Sequence, residues 1–494
     1  MNFNKTTIAS ATTAALSMMA AGNAQALNFG EFWAADQING LMHIWQQDAL
    51  NAPGPAAKEV VHFQNRTGSA DGGMHTSARL HILGFSNASG LDPSSRVVAT
   101  YLDGWAEIWN TATHDKIADL EASTNSTYAA AGMAPPDKGN TIHACGHNPT
   151  NNLIACASIF NGDVTLFSSD VSTDTYTRIG ISRLADIPVS PGLAPLLKAQ
   201  VQGHLDTMYA LDANPNNICN QFDTSGTLLY VAAQTGTTTG GVIVLDVSNP
   251  ANPTILDAYA DVMAAGCGLV NHPGGTHLWI TQGFNKHGDP EEMTMWNYAA
   301  AGIANGPSNR VAFATDDSQP VYGGDAHGAQ FAGLGNNFMW QTMRIDDNIQ
   351  VLSAWNSDTS ALVNQIDLER PGRLNVQPDV IDRSQFGNRM YHTTRGPVPT
   401  SAIGSTAIGA ANKYNFASRS GSQGVDVLAT FFGYGGRYVK TEVMLGLGTN
   451  YLCPAANYPD SEYDVLCELG DAGAVPVDNA DPHGGKSINY LTGF

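Results

Sequence analysis

The feature that most restricts the fold of this chain is a tandem repeat. Residues 95–110, 152–170, 226–246, 275–298, 335–355 and 387–432 share one pattern. A turn rich in Gly, Asn or Ser leads into a β-prone run, then a second turn and an alternating run that often ends in Asp or Asn. Each repeat reads as two strands joined in a hairpin, and the variable stretches on either side supply an inner and an outer strand. Four-stranded units in a regular train bury their faces against one another, which is the condition for a β-propeller. Fifty-one Gly and 24 Pro among 494 residues favour turns over long helices, and 43% hydrophobic residues supply a core. Two stacked β-sandwiches are the alternative arrangement.

The chain ends complete the pattern. Near the N-terminus, residues 32–35, 40–45 and 59–63 read as three strands with no inner strand before them. Residues 481–491 read as an inner strand with nothing after it. Joining the two predicts an all-β, seven-bladed β-propeller, its ring closed by the C-terminal inner strand, with no exposed sheet edge left at the ends. One domain is expected over 27–494, with long loops at 111–140 and 448–479, the latter acidic through Asp460, Glu462, Asp464, Glu468, Asp471 and Asp478.

Residues 1–26 hold a single charge, Lys5, then a small apolar run and the ending Ala24-Gln25-Ala26. This is the form of a secretory signal cleaved after Ala26, so the mature chain is expected in the periplasm or outside the cell. No later stretch approaches the ~18 apolar residues of a membrane span. Six cysteines fit an oxidising compartment. Cys145 with Cys156 and Cys453 with Cys467 are the expected bridges, leaving Cys219 with Cys267, although six cysteines allow about 15 connectivities. Twenty-three basic against 44 acidic side chains give a net charge of −21, which disfavours nucleic acid as a partner.

Four segments carry a resemblance: Asp325-Ala326-His327-Gly328, Asp481-Pro482-His483-Gly484, Asn148-Pro149-Thr150-Asn151 and Asn214-Pro215-Asn216-Asn217. They resemble the P-H-G or D-x-H-G inner strands and N-P-x-G turns of secreted bacterial propellers of the YVTN and lactonase-like kind. Asn stands where that turn has Gly. The resemblance implies the fold and brings no activity with it.

Superposed on their turns, the repeats place His143 and His327 at one register, and His483 matches His327 through D-x-H-G. His75 and His204 are expected at the start of their own inner strands, Cys267 takes the same register in its blade, and Asp379 takes it in another. Inner strands line the channel of a propeller, so these side chains are expected to converge. Neutral imidazoles suit a transition metal, copper or zinc, with Asp325 or Asp481 as further ligands or as groups that orient the rings. The arrangement is similar to the histidine-lined seven-bladed hubs of nitrous oxide reductase and thiocyanate dehydrogenase, without an extended motif in common. The competing reading is structural: each ring bonds the backbone or an Asp of the next blade.

The remaining motifs exclude more than they suggest. No C-x-x-C-H occurs, so covalent haem c is not expected. Gly433-Tyr434-Gly435-Gly436-Arg437 lies in a hairpin and is no nucleotide loop. Without D-x-D-x-D-G, calcium ranks below the transition metals. Arg395 precedes a Gly-Pro turn and, near the hub, would grip an anion. Three functions follow as expectations: a metal or small-ligand binding protein, an oxidoreductase or lactonase-like enzyme, and a scaffold gripping another envelope protein.

Overall fold

The computed structural model describes residues 30–36, 41–62, 80–85, 94–101, 103–135, 141–159, 162–236, 239–260, 262, 268–272, 278–281, 283–284, 291–296, 309–313, 325–333, 336–344, 347–354, 362–368, 376, 378–395, 424–444 and 482–489. The expected signal segment, 1–26, and the expected loop at 448–479 lie outside them.

The strands form antiparallel sheets in a β-propeller arrangement. Taken from inner strand to outer, one sheet runs Leu80–Phe85, Arg96–Tyr101, Trp105–Asn110 and Lys116–Glu121. A second runs Ala144–His147, Leu153–Ser158, Asp163–Asp170 and Thr175–Arg183. The next two are Asn216–Phe222, Leu228–Gln234, Gly240–Asp246 and Thr254–Ala260, then Leu269–Asn271, Leu278–Thr281, Glu291–Trp296 and Asn309–Phe313. Asp325–Ala332, Phe338–Met343, Asn348–Ser353 and Leu362–Asp367 follow, with Gly283–Phe284 added beside the inner strand. Then come Pro378–Arg383, Arg389–Thr394, Gly424–Phe431 and Gly435–Val443. The last sheet joins the chain ends: Pro482–Asn489 pairs with Gly30–Asp36 from Gly30↔Asn489 to Asp36↔Pro482, and Leu41–Gln46 and Lys58–His62 follow outward.

Each hairpin read from the repeats is the second and third strand of a sheet. The turns before them share one geometry. Asn151 donates its amide to Asn148 O at 3.0 Å, Gly226 to Asp223 O at 3.1 Å, Asn336 to Gly333 O at 3.2 Å and Gly387 to Ser384 O at 2.9 Å. The donors have φ of 58°, 77°, 57° and 64°, the left-handed region that Gly and Asn enter most readily. This is why Asn151 serves where the resembled turn has Gly. The second expected turn, 214–217, is not one of these, because Asn216 already begins an inner strand.

The core lies between sheets. Trp33, Ile44 and Ile488 of the terminal sheet pack with Val97, Tyr101 and Trp109 of the next, and Leu153 and Leu166 pack with Leu229 and Ile243. At the centre the inner strands approach closely: a Cβ on Gly84 would stand 2.0 Å from Cys145 O, and one on Gly328 2.4 Å from Asp379 O. A side chain at either position has no room.

Two expectations change. The stretch expected as a loop at 111–140 contains the outer strand Lys116–Glu121 and the helix Asn125–Ala130, whose N-cap Thr124 accepts the Thr127 amide. The inner strand expected to start at His204 is instead part of the helix Pro195–Leu211. Val201, Leu205 and Met208 are its buried residues, spaced by four and three as one helical face requires. That face packs on the outer strand Thr254–Ala260.

Candidate functional site: a buried cluster at the inner strands

The inner strands are irregular where they approach the centre, and this irregularity sets the site. Pairing shifts between Ala326 and Ala329, between Pro378 and Ile381, and between Pro482 and the residue opposite Ala34. Each shift is a bulge, which turns a side chain out of the regular pleat. The first bulged residues are His327, Asp379 and His483.

Threonines on the second strands lock this register from sheet to sheet. Thr100 Oγ1 donates to His143 O at 2.9 Å, Thr281 to His327 O at 3.3 Å, Thr342 to Asp379 O at 2.6 Å and Thr393 to His483 O at 3.2 Å. In each case a strand reaches across to the axial residue of the sheet that follows. Gly328 N also bonds Thr342 Oγ1 at 2.8 Å, and Gly268 N repeats that bond to Thr281 at 2.9 Å.

Four separate sheets therefore bring His143, His327, Asp379 and His483 together, all buried. The His483 ring centre lies 5.9 Å from that of His327 and 6.2 Å from that of His143. Asp379, fully buried, is the focus of charge. Its Oδ2 is 2.8 Å from His483 Nδ1 and its Oδ1 is 3.2 Å from His327 Nε2. Arg344 Nη2 donates to both carboxylate oxygens at 2.9 Å, and Arg395 Nε lies 3.3 Å from Oδ2. His143 hydrogen-bonds the Ile218 backbone and has its Nδ1 3.5 Å from Cys219 Sγ.

Burial sets the protonation. It lowers His143 to about 4, and it lowers His327 and His483 well below the ordinary histidine value, with Arg344 and Arg395 adding to the fall. The imidazoles are neutral at pH 7. For Asp379, burial works towards the neutral acid, but the charges of Arg344 and Arg395 outweigh it and hold the carboxyl below its usual range. The ligating atoms of His327, Asp379 and His483 all lie within 4.8 Å of one another, a donor set that fits a transition metal.

The other expected ligands divide. His204 is not at an inner strand: it sits on the helix Pro195–Leu211, half-buried, and its Nδ1 accepts the Ala260 amide at 3.3 Å. His75 and Asp481 lie outside the described residues, and Asp325 begins its inner strand, paired with Phe284. In the sheet expected to present His75, the pairing shift falls between Leu80 and Leu83, so His81 holds the register of His327, Asp379 and His483. Cys145 and Cys156 form a disulfide across paired strands. Cys219 is also disulfide-bonded, while Cys267, Cys453 and Cys467 lie outside the described residues.

Arg344 was not anticipated from the sequence, and Arg395 was expected only as an anion grip near the hub. A signal for them is present: each stands two residues after a register-locking threonine, as Thr342-Met343-Arg344 and Thr393-Thr394-Arg395 in consecutive sheets.

No family model matches the chain, and no curated protein matches it. Similar solved structures include a protein from Lactobacillus plantarum, 10% identical with a TM-score of 0.51, over 84% of this chain and 96% of that one. A putative 6-phosphogluconolactonase from Bacteroides uniformis is 10% identical with a TM-score of 0.48, over 84% and 98%. A β-propeller domain from Myceliophteria thermophila is 13% identical with a TM-score of 0.47, over 74% and 90%. Such identities speak to fold alone. Fold and site together define a β-propeller protein with a buried His/Asp/Arg cluster among its inner strands. No helix among the described residues is long and apolar enough to cross a membrane.

Proposed function

We propose that this chain is an exported β-propeller that holds a small ligand, a transition metal or a small molecule, through its axial histidines. The carrying observation is the convergence of His143, His327 and His483 with Asp379 from four sheets that are distant in sequence. Holding neutral imidazoles and one carboxylate together in a dry interior costs desolvation, and a bound ligand gives that arrangement a use. In this reading each sheet is a blade of a seven-bladed ring closed by Pro482–Asn489. The pairing of that strand with Gly30–Asp36 and its packing against both Pro378–Arg383 and Leu80–Phe85 support the closure. The export reading rests on residues 1–26, and the Cys145–Cys156 disulfide is consistent with it.

Titration of the mature chain with copper or zinc, with metal analysis after dialysis, tests the metal arm. One ion per chain, lost in the His143→Ala/His327→Ala/His483→Ala variant, supports it. Metal-free protein that binds no small molecule either would reject the reading. A structural hub is the second reading, favoured by the dense bonding around Asp379. It predicts that the triple variant loses stability and no ligand.

A further inference from the structure

We infer that the axial ligand carries negative charge: a small carboxylate or inorganic oxyanion gripped by the paired guanidinium groups of Arg344 and Arg395. This rests on the reading that the hub holds a small ligand, and it adds the sign of that ligand's charge.

The repeat delivers the two arginines as a pair. Thr342 and Thr393 fix equivalent points on neighbouring second strands, and Arg344 and Arg395 follow each at the same offset. Both are buried, 5% and 1% exposed, and both reach the Asp379 carboxylate within 3.3 Å. Arginine does not deprotonate in proteins, so both charges persist. Among the described residues of this cluster, Asp379 is the one carboxylate set against two guanidinium groups, and the neutral imidazoles add no charge.

Two guanidinium groups set against the single Asp379 carboxylate leave the cluster with net positive charge beside the neutral imidazoles. An added divalent cation is repelled by that charge, whereas an anion is drawn in. A planar guanidinium matches a carboxylate or an oxyanion edge to edge, so attraction comes with fixed orientation.

The test is isothermal titration of the dialysed mature chain with oxalate and with inorganic phosphate, in chloride at constant ionic strength, beside parallel titrations with copper and zinc. Oxalate binding places the ligand among carboxylates, and phosphate binding among oxyanions. Arg395→Gln should weaken either by tenfold or more, and Arg395→Lys should retain more affinity than Gln. If Arg395→Gln fails to fold, the wild-type urea midpoint carries the test, because it rises with the bound anion and not with chloride. Binding of copper or zinc without any anion response overturns the inference and leaves the ligand-binding reading standing. Silence in every titration overturns both.

Discussion

Replacing Asp379 with Asn keeps the volume of the side chain and removes its charge. In the native cluster the carboxylate accepts Arg344 Nη2 at 2.9 Å on both oxygens, while His483 Nδ1, His327 Nε2 and Arg395 Nε lie 2.8, 3.2 and 3.3 Å from it. An amide has one acceptor where the carboxylate has two, and its NH2 turns a donor towards other donors. Removing one partner of a buried ion pair costs about 3–5 kcal/mol, because the other charge stays buried. Total stability is of order 5–15 kcal/mol, so the loss is a large fraction of it. With an m-value of about 3 kcal/mol/M, the urea midpoint should fall by about 1 M or more, followed by tryptophan fluorescence at pH 7 with m unchanged. A loss below about 1 kcal/mol would refute the reasoning, since it would mean that the carboxylate is not what offsets the buried guanidinium charge.

His114 lies 3.1 Å from Glu31 and 2.8 Å from Glu59, and its hydrogen bond to Glu31, offset in part by burial, raises its pKa. Its contribution is therefore full below the unfolded value near 6.5 and lost as pH rises through the folded value. The wild-type advantage over His114→Asn, at most about 1 kcal/mol, should shrink between pH 5.5 and 8.5 in urea unfolding, and a constant difference contradicts it. Reduction of Cys145–Cys156, which closes a loop with a sequence separation of 11, should cost about 3 kcal/mol, read against the Cys145→Ala/Cys156→Ala variant. His483→Ala should weaken axial ligand binding, while His204→Ala, on the helix Pro195–Leu211, should leave it unchanged; equal effects would undo the register argument. Gly328→Ala, whose Cβ has no space beside Asp379 O, should destabilise the chain by about 1–3 kcal/mol in thermal or urea unfolding, and a neutral result contradicts the close packing of the inner strands.

The repeat hairpins were legible because alternation and turn residues are local signals. Residues 152–170 contain, in order, the turn end, Leu153–Ser158 and Asp163–Asp170. His143, His327, Asp379 and His483 were found for the same reason: duplication keeps equivalent residues at equivalent distances from a turn. The helix Pro195–Leu211 was not legible because its buried face is only three residues, Val201, Leu205 and Met208, set among polar and small ones. The register position of His81 was not legible because a bulge changes the count along a strand and leaves little mark in one sequence, while His75 lies outside the described residues. The roles of Arg344 and Arg395 depend on contacts between sheets. Their T-x-R spacing becomes meaningful once Thr342 and Thr393 are seen to bond the following sheet.

Whether imidazoles from distant sheets hold a ligand is most directly answered by native mass spectrometry of the protein, isolated from its host without added metal or anion. The account predicts a mass above that of the polypeptide by one small ligand per chain, absent from a folded variant lacking the His143, His327 and His483 rings. A wild-type mass equal to the bare polypeptide, unchanged after exposure to copper, zinc, oxalate and phosphate, would contradict it.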